Sequence, residues 1–146
     1  MRIFLDANIL FSAGKSAGAM RGFLEVLQSS GHTLVADAYV VEEARRNLES
    51  KFPASLKDFE LVLHPIESSG TLRCFLPPGL APELPEKDRP VLAAAIQRRC
   101  DVLLTGDKTH FGPLYGKTLA GITIHSPAGL AERLSNEATD RPSTPA

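Results

Sequence analysis

Asp101-Val102-Leu103-Leu104-Thr105-Gly106-Asp107 is a short apolar run with an acid at each end. Val102 to Thr105 has the length and composition of a strand buried on both faces, and Gly106-Asp107 ends it. A second such run, Ile3-Phe4-Leu5, stops at Asp6. Thr33 to Ala36 and Ile122 to Ile124 read as two further strands, and Thr71 to Leu76 as either a strand or an irregular segment. Helical patterns lie between them. Met20, Phe23, Leu24 and Leu27 mark a helix over about 18–28, with Gly31 beyond its end. Asp37 can cap a helix over about 38–49. Pro53 suits the first turn of another, ending near Pro65. Four prolines between Pro77 and Pro85 predict a stiff loop. A helix over about 88–99 carries Pro90 in its first turn, and Ser126-Pro127 opens the last one. Alternating strands and helices predict an α/β fold in three layers, α/β/α, around a mostly parallel central sheet of about five strands.

The whole chain fits that frame. Its 146 residues suit one core, with 43% hydrophobic and 23% charged residues. Residues 1–135 read as the domain, and 136–146, polar and proline-containing, as a disordered tail. No apolar run approaches the roughly 20 residues that span a bilayer. The net charge of −1 excludes a generally basic nucleic-acid binder, so any nucleic acid would meet a local patch. Cys74 and Cys100 have neither metal nor redox spacing. Met1 to Asp6 reaches a charge after three apolar residues, unlike a signal peptide, and the expected location is the cytoplasm.

Acids recur where parallel sheets bind ligands, beyond the carboxyl ends of the strands. Asp6 and Asp107 each follow a strand, and each could equally be a turn residue. Asp88 lies on the apolar stripe of Val91, Leu92, Ala95 and Ile96, either as an N-cap or as a carboxylate facing the sheet. Pro90 weakens the cap, because it removes one of the two N–H groups a cap would bind. Val40, Val41, Ala44 and Leu48 define the buried side of the helix after Asp37. Glu42 faces away from it. Glu43 borders it, where it could pair with Asn47 or point into a cleft. Carboxylates gathered at one sheet end repel unless cations hold them, and hard ions such as Mg²⁺ or Mn²⁺ take oxygen ligands. Such sites suit phosphodiester hydrolysis.

In this order the motifs resemble the PIN-domain ribonucleases, in particular the VapC-type toxins of bacterial toxin–antitoxin pairs. Ile3 to Leu10 resembles the family's opening strand, with its aspartate at Asp6. Val40 to Arg46 resembles the helix supplying the glutamate, at Glu43. Lys87 to Ala95 resembles the third acidic motif, at Asp88, and Asp101 to Asp107 the fourth, at Asp107. The resemblance covers residues 1 to about 126. It implies metal-dependent endonucleolytic hydrolysis of single-stranded RNA, with Asp6, Glu43, Asp88 and Asp107 catalytic. Asp6, Asp88 and Asp107 would hold Mg²⁺ or Mn²⁺, and Asn8 and Thr105 would support them. It also implies a separate antitoxin protein and a homodimer. Asp37 stands where the family favours a small hydroxyl residue. Asp101 precedes its strand and is expected at the opposite end of the sheet.

RNA phosphates need cations. The candidates are Lys15, reaching from a loop after the first strand, and Arg45, Arg46, Lys87, Arg89, Lys108 and His110. His32, His64 and His125 have no metal spacing. Aromatic residues are only 6%, with no Trp, so extensive base-stacking platforms are not expected. Two rival readings are weaker. A haloacid-dehalogenase-like phosphatase wants a second aspartate where Asn8 stands. A non-catalytic RNA- or partner-binding module would be expected to lose a site acid, and all four are present.

Overall fold

The computed structural model describes residues 1–70 and 75–140. A mostly parallel sheet of six strands lies among six α-helices. The elements run β1 (Arg2–Leu5), α1 (Ala7–Lys15), α2 (Ala19–Ser29), β2 (Thr33–Asp37), α3 (Ala38–Lys51), α4 (Leu56–Leu63), β3 (Glu67–Ser69), α5 (Arg89–Gln97), β4 (Val102–Leu104), β5 (Thr118–Leu119), β6 (Ile122–His125) and α6 (Pro127–Asp140). The strand order is β3-β2-β1-β4-β6-β5. All neighbours are parallel except β5 and β6, which form a hairpin. Ile3, Phe4 and Leu5 of β1 and Val102 to Leu104 of β4 are all completely buried, as central strands covered on both faces must be.

The chain winds outward through β1, β2 and β3, then returns past β1 to β4. Right-handed crossovers therefore place the first two helical connections on one face and α5 on the other. In agreement, α1 packs against α2, α3 and α4, whereas α5 packs on β4 and α6 on β6. The order reverses between β1 and β4. Beyond the carboxyl ends of those two strands lies the crevice in which such sheets bind ligands.

The structure corrects several expectations. The chain after β1 is helix α1 and not a loop, because Asp6 both ends the strand and caps the helix by accepting the Ala7 amide. Lys15 is thus the last residue of a helix. Strands β3 and β5 join the four strands read from the sequence, giving six where about five were expected. Helix α6 runs to Asp140, five residues into the expected tail. Of Thr71 to Leu76, residues 71–74 lie outside the described residues, as do 141–146; Phe75 and Leu76 belong to no strand. The proline-rich segment is the loop expected, and the Arg89 guanidinium clamps it through the Leu80 and Ala81 carbonyls. No described helix is long and apolar enough to cross a membrane.

Gly14 sets how closely α1 approaches its partners. A Cβ there would lie 2.8 Å from Phe59 Cδ1 and 2.9 Å from Leu48 Cδ1, and both side chains are completely buried. Gly14→Ala should therefore destabilise the protein by about 1–3 kcal/mol through overpacking. Urea unfolding checks this, and an unchanged midpoint would show that the α1–α3–α4 junction is loose.

Candidate active site

Asp6 lies one residue past β1 and is 5% exposed. Its Oδ1 accepts the Ala7 amide at 2.8 Å. Its Oδ2 accepts the Thr105 hydroxyl at 2.8 Å and the Asn8 side-chain amide at 3.1 Å. Asn8 also accepts the Gly106 amide at 2.8 Å, which ties the end of β1 to the end of β4. Tyr115 donates to the Thr105 carbonyl at 2.9 Å and fixes that residue from the other side. Asn8 and Thr105 thus hold the Asp6 carboxylate in one orientation. Burial pushes the Asp6 carboxyl up to about 6; the Thr105 and Ala7 bonds oppose the rise, while Asp88 and Glu43 add to it.

Asp88 occupies the N-cap position of α5 but makes no side-chain cap bond. Pro90 explains this in part, since it has no N–H to offer. The carboxylate turns instead into the cleft, where burial raises its pKa, His110 opposes the rise and Asp107 adds to it. Tyr39 at the start of α3 steadies the approach by donating to the Lys87 carbonyl at 2.8 Å.

Asp107 divides its two oxygens between two tasks. Oδ1 accepts the Thr109 and His110 amides in a local turn, and Oδ2 faces the cleft. Asp107 is thus a turn residue that also lines the cleft. The same turn swings the His110 ring over the acids, with Nδ1 2.9 Å from Asp88 Oδ2 and 3.0 Å from Asp107 Oδ2. Neither contact has hydrogen-bond geometry, so Asp88 Oδ2 and His110 Nδ1 are buried polar atoms without a hydrogen-bond partner. Asp88, Asp107 and His110 each offer one ligand atom within 4.8 Å of the others. Two carboxylates and an imidazole so close together, an oxygen-rich donor set, fit a divalent cation. Asp6 lies outside that group, and its oxygens are held by the Ala7, Asn8 and Thr105 donors.

One cleft is lined by Asp6, Ala7, Asn8, Phe11, Glu43, Asn47, Lys51, Lys87, Asp88 and Asp107. Glu43 lines it and Glu42 does not. The buried residues of α3 are Val40, Val41, Ala44 and Leu48, so the helix has the register expected from sequence. Of the candidate cations, Lys87 lines the cleft and His110 touches its acids. Arg45 pairs with Glu60 at 2.7 Å, Arg89 clamps its loop, and Arg46 and Lys108 are exposed outside the cleft lining. Lys15 lies beside the cleft, its Nζ 5.8 Å from the centre of the Phe11 ring. Asp101 accepts the Arg2 amide at the amino end of β1, the opposite end of the sheet, as expected. Phe11 and Lys51 escaped the sequence reading. The spacing Glu43, Asn47, Lys51 on one helix could have found the second; the first needed α1.

Fold and cleft together define a doubly wound α/β protein with an acidic, cation-fitting site at the switch point of its sheet. The sequence pattern of the PIN domain matches residues 2–109, and the chain belongs to that family. No curated protein matches it closely. Its fold is shared by VapBC2 from Rickettsia felis bound to a DNA fragment from their promoter, at 16% identity, TM-score 0.61, and 86% and 98% coverage of this chain and of that one. It is shared by VapBC-1 from nontypeable Haemophilus influenzae, at 14% identity, TM-score 0.56, and 88% and 99% coverage. It is also shared by Mycobacterium tuberculosis VapC20, a Sarcin-Ricin loop cleaving toxin, at 13% identity, TM-score 0.54, and 80% and 98% coverage.

Proposed function

We propose that this protein is a Mg²⁺- or Mn²⁺-dependent endoribonuclease that hydrolyses single-stranded RNA, the toxin of a toxin–antitoxin pair. The observation that carries the reading is the convergence of Asp6, Glu43, Asp88 and Asp107 on one cleft, with His110 within ligand reach of Asp88 and Asp107. The PIN family and the VapC fold relatives support it. In this reading the antitoxin is a separate chain, and two copies of the toxin pair as a homodimer.

Asp88 and Asp107 would hold the ion, with His110 beside them and Asp6 adding negative charge to the same cleft. When bound, a divalent ion lowers the pKa of water and offsets charge on a phosphodiester. The chain's own groups do the rest. Glu43, across the cleft, orients water for attack on phosphorus. Lys87 meets the charge of the phosphate. Thr105, Asn8 and Tyr115 keep Asp6 fixed, so that little reorganisation accompanies the reaction.

Purified protein should cut single-stranded RNA with Mn²⁺ and stop on addition of EDTA. Restoring Mn²⁺ should restore cleavage, read on a denaturing gel. Cleavage undiminished by thorough chelation would overturn the reading.

A further inference from the structure

Helices α1 and α3 leave the acid cluster side by side, and each carries one stripe of side chains along the cleft. On α1 the stripe is Asn8 and Phe11, which line the cleft, continued one turn on by Lys15 beside it; the spacings are three and four residues. On α3 it is Glu43, Asn47, Lys51, spaced four and four. Both spacings keep one helix face, and eight residues of α3 advance about 12 Å. The groove is therefore acidic at one end and cationic at the other. Asp6, Glu43, Asp88 and Asp107 line the acidic end. Beyond them, Lys51 Nζ lies 5.6 Å and Lys15 Nζ 5.8 Å from the centre of the Phe11 ring. Phe52, the residue after α3, packs its ring against Phe11 with centroids 5.9 Å apart and planes tilted by 53°.

We infer that this end of the groove is a nucleotide subsite for the RNA next to the scissile phosphodiester. Phe52 stacks a base, and Lys15 and Lys51 hold the adjoining phosphate. The inference rests on the ribonuclease reading given above. Phe52 is 45% exposed, so it is no core residue; its ring is held in place by Phe11 and presented to solvent. Neither lysine pairs with a carboxylate among the described residues, so both charges are available to a ligand. Aromatic faces stack on any base, and ammonium groups neutralise any phosphate, so the subsite adds affinity without demanding a sequence. An RNA strand whose phosphate enters the acid end would be repelled there without a cation. The lysines supply the opposing attraction one step along the strand.

The test is fluorescence anisotropy with a short labelled single-stranded RNA of mixed sequence, in Mn²⁺, on the Glu43→Gln background to prevent cleavage. Phe52→Leu should weaken binding about 5- to 150-fold, the range for losing one stacked base. Lys51→Gln should flatten the dependence of log Kd on log salt by a little under one unit. Phe52→Trp should bind as tightly as the parent or tighter, a rescue that a purely structural role does not give. Mn²⁺ affinity should stay at the parental value in the two Phe52 variants, and all three variants should remain folded, as thermal melts show. If the parent binds RNA and Phe52→Leu and Lys51→Gln bind it equally well, the subsite is wrong and the ribonuclease reading stands. If the wild-type protein neither binds nor cuts RNA, the ribonuclease reading fails and takes the subsite with it.

Discussion

Glu43→Gln should lower the rate of RNA cleavage about 10²- to 10³-fold, while Glu42→Gln leaves it near the wild-type value. The two glutamates are adjacent and chemically identical, and only their direction differs. A helix turns about 100° per residue. With Val40, Val41, Ala44 and Leu48 against the core, Glu43 is brought round to the cleft that Asp6, Asp88 and Asp107 also line. Glu42 is left facing solvent. Both carboxylates are exposed, so neither substitution should change stability by more than about 0.5 kcal/mol. Single-turnover rates with a saturating RNA, together with thermal melts of both variants, separate catalysis from folding. Equal activity of the two variants would remove Glu43 from the site. A requirement for Glu42 would mean that the second acidic motif has been assigned one residue out of register.

That pair of residues also shows how far the sequence could be read. Where burial is one-sided and the element long, as in α3, periodicity marked the helix and turned Glu42 to solvent, and left Glu43 at the border between Asn47 and a cleft. The central strands were legible because a parallel strand buried on both faces leaves an uninterrupted apolar run, as Ile3 to Leu5 and Val102 to Leu104 do. Helix α1 was not, because it starts with no intervening loop. Asp6 ends the strand and caps the helix in the same position, and the apolar residues Ile9, Leu10 and Phe11 blur any stripe. Missing α1 hid Phe11 and placed Lys15 in a loop. Strand β3 is an edge of three polar residues, Glu67–Ser69, with no apolar pattern to detect. The β5–β6 hairpin turns through Ala120 and Gly121, both at positive φ (50° and 83°). That backbone usually recruits Asn-Gly or Asp-Gly, so Ala-Gly gave little signal. His110 was legible as a basic residue near Asp107. Its closeness to Asp88 is a tertiary fact, created by the packing of α5 on β4 and by the turn after β4, and no local pattern encodes it.

Asp6→Asn should abolish cleavage at every pH and should change stability in a pH-dependent way. The Asp6 carboxyl titrates at about 6 in the metal-free fold, chiefly because it is buried. In the unfolded chain it titrates near 3.9. Between these values the native state holds a proton that the unfolded state has released. The wild-type protein therefore has the whole of this contribution below about pH 4. It loses it as pH rises through about 6, a loss on the order of 3 kcal/mol. The carboxamide of the variant does not titrate. It keeps the acceptor for the Ala7 amide but turns an N–H group toward the Asn8 amide, at a cost of about 1–3 kcal/mol. At pH 4 the variant should melt below wild type. By pH 8 the ionised, desolvated carboxylate burdens the wild type, and the two melting temperatures should meet or cross. For a domain of this size the difference between them should move by several degrees over that interval. Thermal melts in EDTA across the range measure it. A difference that is negative and constant with pH would mean that Asp6 serves α1 only as a cap. A difference that closes with rising pH, in a variant that no longer cuts RNA, would show a carboxylate kept at a cost to folding for the chemistry it performs.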